Sequence, residues 1–127
     1  SEYTEVYEAE CPAGTSVQWG FAAYDATTPP DSAIVFEART AATEGELGAA
    51  TWASVATAES SPTDTQKCQL SGPAPCPLDL WTILGGPPLV HLDVLELKAT
   101  LVPGGPNDSI TPSLNSWQVT YSCPDSQ

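Results

Sequence analysis

Residues 91–101 read HLDVLELKATL. Leu95, Leu97, Ala99 and Leu101 alternate with Glu96, Lys98 and Thr100. That two-residue period belongs to a β-strand with one face buried and the other in water. A helix would need apolar residues every three or four positions, so the alternation decides against it. The same pattern recurs on both sides. Segment 113–123, SLNSWQVTYSC, puts Trp117, Val119, Tyr121 and Cys123 on one face, and 32–40, SAIVFEART, sets Ile34, Phe36 and Ala38 against Val35, Glu37 and Arg39. Segment 16–25, SVQWGFAAYD, aligns Val17, Trp19, Phe21 and Ala23. TWASVATA (51–58) and an acid-rich outer strand, YTEVYEAE (3–10), complete the set.

Turn chemistry separates these runs: CPAGT (11–15), ATTPPD (26–31) and VPGGPNDSITP (102–112) carry the Pro, Gly and Asn that end a ladder. AATEGELGAA (41–50) predicts a short helical turn limited by Gly45 and Gly48, and 59–76 reads as a polar loop. PLDLWTILG (77–85) predicts a helix from Pro77 to Gly85, with Leu78, Trp81 and Leu84 on one face. Six or seven short strands punctuated this way define an all-β chain, an antiparallel β-sandwich with one or two short helices.

The chain has 127 residues, the size of one domain spanning 1–127. Sixteen acidic residues face three basic ones, a net charge of −13. Arg39, Lys67 and Lys98 cannot build a basic face, which disfavours nucleic acid and anionic membrane surfaces as direct partners, so no nucleic acid and no membrane insertion are expected. No apolar run approaches the roughly 20 residues of a membrane span. Four cysteines, Cys11, Cys68, Cys76 and Cys123, fit two disulfides in an oxidising compartment. A thiolate metal site needs pairs two to four residues apart, closer than any here. Of the three pairings the spacing favours Cys11–Cys123, which sets the two ends of the chain side by side, and Cys68–Cys76, which closes a Pro- and Gly-bearing loop. No basic start followed by an apolar run is visible, so an extracellular or cell-surface location is expected from the cysteines and the charge.

Two stretches, YDATTPPDSAIVFEARTAATEGELGAATW (24–52) and LELKATLVPGGPNDSITPSLNSWQVTYSC (95–123), resemble parts of the jelly-roll modules of bacterial secreted and surface proteins. These modules are galactose-binding-like and carbohydrate-binding-module sandwiches. The resemblance implies a jelly-roll-like sandwich serving as an accessory module, for which sugar binding, a structural calcium ion or a plain spacer role is expected. It transfers no binding residue.

The residues themselves supply candidates. A sugar site needs an exposed aromatic ring; Trp52 and Trp81 lie near loops, whereas Trp19 and Trp117 sit on apolar strand faces and read as core. Tyr3, Tyr7 and Tyr24 could line a patch. Asn107 and Asp108, with Ser109, and Asp25 and Asp31 beside the Pro29–Pro30 turn, offer the oxygens a calcium ion takes, although Asn and Asp also favour turns. No other cofactor is expected. His91, the single histidine, lacks a nucleophile context, and no residue pattern calls for an enzyme. Arg39 is expected to pair with a nearby carboxylate such as Glu37. The expected role is therefore adhesion, binding or structural support, with neighbouring domains or subunits as partners. A carbohydrate-binding module with a glycan ligand is the alternative. A second alternative is a filament subunit assembled by strand donation, with 2–10 as donor.

Overall fold

A half-buried strand is stable only when a second layer covers its apolar row, and the chain builds two sheets that cover each other. In the computed structural model, residues 1–59, 65–68, 76–85 and 92–125 are described, with 65–67 described by backbone alone. The order is β1 (Glu2–Glu8), β2 (Gln18–Thr27), β3 (Ala33–Ala41), a 3₁₀ segment (Glu44–Ala49), β4 (Ala53–Glu59), β5 (Thr65–Cys68), β6 (Leu78–Asp79), α1 (Leu80–Ile83), β7 (Val94–Val102), a 3₁₀ turn (Pro106–Asp108) and β8 (Ser113–Ser122). One sheet runs β1-β7-β3-β4, every described pair antiparallel. The other centres on β2, with β8 along one edge and β5 and β6 sharing the other. The fold is an antiparallel β-sandwich.

The alternating rows make the core. Leu95, Leu97 and Ala99 on β7 and Ile34, Phe36 and Ala38 on β3 are at most 2% exposed. They meet Val17, Trp19, Ala22 and Ala26 from the β2 side. Phe36 packs against Tyr24 at 4.6 Å and Trp117 at 6.4 Å between ring centroids, which couples the layers. Each large apolar side chain buried here contributes about 1.5–3 kcal/mol.

Strict alternation fails at three bulges. Gly20 and Phe21 together face Thr120, since Trp19 pairs with Tyr121 and Ala22 with Val119. The Phe21 amide donates to Thr120 Oγ1 at 3.0 Å. The extra residue turns Phe21, expected in the core beside Trp19, out to 44% exposure and hands the inner row to Ala22, Tyr24 and Ala26. Gly20 is required because a Cβ there would meet Thr120 Oγ1 at 2.9 Å. Asn115 is the unpaired residue of β8, and its side chain donates to Asp25 Oδ1 and Thr27 Oγ1. Val55 is unpaired in β4 and packs against both core clusters.

Three further expectations change. The 59–76 loop contains β5, which pairs with Tyr24–Thr27 of β2. The helix expected over 77–85 contracts to Leu80–Ile83, because Leu78 and Asp79 are drawn into pairing with β2. Asp79 then caps the helix, accepting from the Thr82 amide and hydroxyl. The core residue of this turn is Leu80, fully buried, not Trp81, which is half-buried; Leu78 and Leu84 pack against the core as expected. The strand read from 91 starts at Val94, and His91 lies outside the described residues.

Both disulfides form as the spacing favoured. Cys11 and Cys123 stand 5.5 Å apart at Cα, and Cys68 and Cys76 stand 5.2 Å apart. Such bonds persist in oxidising compartments. Among the described residues no helix is long and apolar enough to cross a membrane.

Candidate binding surface

The two sheets leave one side of the sandwich open. β1 pairs only with β7, and β8 pairs only with β2 among the described residues, so two edge strands border the gap. Register fixes what β1 sends inward: Tyr3, Glu5 and Tyr7 stand opposite the core residues Ala99, Leu97 and Leu95. From β8 come Leu114, Trp117 and Val119, each packed against the core. Between the strands lies an open groove of about 260 Å³, lined by Tyr3, Leu114, Asn115, Ser116 and Trp117. Tyr3 is 54% exposed, the most exposed large aromatic of the described chain.

One carboxylate organises the groove. Glu5 Oε1 accepts from Trp117 Nε1 at 2.6 Å and from the Tyr7 hydroxyl at 2.9 Å, and Glu5 Oε2 has no hydrogen-bond partner among the described residues. A charge-assisted bond of this length fixes the indole plane. Burial, reinforced by the neighbouring Glu5 carboxylate, pushes the Tyr7 hydroxyl well above the ordinary phenol range, so Tyr7 stays a neutral donor. Tyr24, expected near this patch, instead stacks on Phe36 inside the sandwich, and burial raises its pKa too. At the far end, Tyr121 meets Trp19 edge-on at 5.3 Å and accepts the Glu10 amide.

The sequence candidates for sugar stacking lie elsewhere. Trp52 is half-buried, with Arg39 Cζ 4.1 Å and Lys98 Nζ 4.2 Å from its ring. Cross-strand register explains this cluster: Arg39 lies opposite Glu96 and Lys98 opposite Glu37. Arg39 therefore binds Glu96 at 2.8 Å, not its chain neighbour Glu37, because the side chain directly opposite on the neighbouring strand lies closer than the one two positions along its own strand. Glu37 goes to Lys98 at 3.3 Å. Trp81 sits on α1 and is not among the residues lining the groove.

The calcium candidates lie in or beside two turns, and the backbone of Asp31 in one packs against Gly104 in the other. Asn107 and Asp108 occupy an exposed turn with φ of 55° and 56°. Asp25 is engaged by Asn115, and Asp31 lines a separate open depression with Ser32, Ala33 and Glu59. Among the described residues no three His, Cys, Asp or Glu side chains are grouped to hold a metal ion.

Sequence reasoning missed the groove because its walls are 112 residues apart in Glu5 and Trp117. The available signal was the alternation Tyr3, Glu5, Tyr7, which marks a strand face carrying two aromatics and one acid. No protein family, curated relative or solved structure matches this chain.

Proposed function

We propose that this chain is a non-catalytic extracellular module of a surface or secreted protein, acting in adhesion and binding on a rigid scaffold. The observation that carries it is the aromatic, open-sided groove between β1 and β8 on a body whose ends are joined by Cys11–Cys123. A module exposed to mechanical and proteolytic stress gains from such a closure, and the −13 charge keeps it soluble and separate. The test is surface capture. Purified oxidised chain is passed over immobilised extracellular-matrix proteins and a glycan array, beside a Tyr3→Ala variant. Selective retention that weakens in the variant supports binding; no retention on any surface leaves only a spacer.

A carbohydrate-binding module is the second reading. It is favoured by Tyr3 and by the half-buried Trp52 and Trp81, whose rings could accept a pyranose face. Glycan retention lost in Trp52→Ala or Trp81→Ala would locate the sugar there. Donation of segment 2–10 to a neighbour has lost the feature that suggested it, since Glu2–Glu8 pairs with β7 of its own chain.

A further inference from the structure

A sheet edge carries a row of backbone N–H and C=O groups that another strand can take, and edges are normally guarded by charge, proline, bulges or shortness. The four edges of this sandwich differ in that respect. β1 carries Glu2, Glu5 and Glu8, with Glu5 pointing inward. β4 is bulged at Val55. β5 and β6 have four and two residues. β8 has ten residues, none of them charged and none proline. Its extra residue, Asn115, lies near one end, and from Ser116 to Ser122 the strand has no extra residue of its own.

We propose that the edge of β8 over Ser116–Ser122, unpaired among the described residues, is an acceptor for an extended, basic segment of another protein, which adds beside β8 as a fifth strand of its sheet. This rests on the chain being a binding module, and it names the surface and the partner. The added strand would gain ladder hydrogen bonds from β8, while its inward side chains at the Ser116–Trp117 end enter the slot between Trp117 and Tyr3. Apolar residues suit those positions. A lysine or arginine among them suits the open Oε2 of Glu5, whose other oxygen is taken by Trp117 and Tyr7. Charge selects the partner: a chain of net −13 repels a second copy of itself and attracts a cationic one. Outward positions of the added strand would lie beside exposed Ser116 and Gln118, which present no charge to repel it.

The probe is a fluorescent decapeptide alternating valine and lysine. It is compared with its glutamate-for-lysine counterpart and with a form N-methylated at every second residue. Fluorescence anisotropy is expected to show binding of the basic peptide only. Ser116→Lys with Gln118→Lys should weaken it about tenfold or more, equivalent to about 1.4 kcal/mol, with an unchanged thermal midpoint. Thr57→Lys on the exposed face of β4 should leave it unchanged. β8 amides should gain hydrogen-exchange protection. Equal binding of the N-methylated or acidic peptide, indifference to the β8 lysines, no peptide binding, or β8 protection through concentration-dependent dimerisation would each overturn the proposal. Selective retention of a glycan or matrix protein alongside peptide failure would sink the β8 acceptor and leave the binding module standing.

Discussion

Replacing Cys11 and Cys123 together by alanine releases a closure between residues 112 positions apart. The folded body changes little, because Cys11 adds one partly buried side chain to a core held by the rows of β2, β3 and β7. The unfolded chain changes greatly. Without the bond its ends separate, and the chain-entropy relation assigns about 4.8 kcal/mol to closing a loop of that length. The same relation gives about 2.5 kcal/mol for Cys68–Cys76, whose residues are 8 apart, with a further small loss for exposing the buried Cys68 sulfur. Urea unfolding of oxidised wild type and the two double variants, followed by tryptophan fluorescence, measures both. The long closure should cost more of the two, and its removal should steepen the denaturant dependence, because the released unfolded chain exposes more surface. A cost below about 2 kcal/mol for Cys11→Ala/Cys123→Ala would show that this bond does not restrain the unfolded ensemble as its span requires.

Three other outcomes are expected. A double-mutant cycle of Trp52→Ala and Lys98→Ala, read by urea midpoint, should give a coupling of about 0.5–1 kcal/mol from the ring–ammonium contact; simple additivity would refute it. Gly104→Ala should destabilise by about 1–3 kcal/mol in thermal melts, because its Cβ would collide with the Asp31 carbonyl, whose residue holds a φ of 69°. Tyr7 has a native pKa raised above its unfolded value near 10, so its contribution is whole below that pH and lost as pH climbs toward the native value. Tyr7→Phe should therefore flatten the alkaline fall in melting temperature, while costing about 1 kcal/mol near neutrality for the Glu5 bond; an unchanged alkaline slope would refute it.

The strands were legible where side-chain period and burial agree. β7 and β3 read directly from the chain because their neighbours on both sides impose the same two-residue rhythm. β2 was legible only up to Trp19, since the bulge opposite Thr120 depends on a strand almost a hundred residues away and leaves only Gly20 as a local mark. The helix over 77–85 had sound local signals, and pairing of Leu78 and Asp79 with β2 overrode them. Arg39 was legible as a paired cation, while its partner required knowledge of the β3–β7 register. The groove was least legible. Its aromatic residues looked like an outer strand and a core tryptophan, and only the meeting of two edge strands gives Glu5 its role.

The position of the Cys11–Cys123 bond also decides how the molecule answers a mechanical load. β1 lies before the bond, outside the covalent ring. A load applied across residues before Cys11 and after Cys123 reaches β1 first, and the β1–β7 ladder is the only pairing of described strands it can strip without breaking the ring. Because β1 is already extended, peeling it releases little length. The tension then passes directly between the two sulfur atoms, and the polypeptide from one cysteine to the other carries none of it. Stress borne that way spares the β2–β8 body, which the covalent ring encloses.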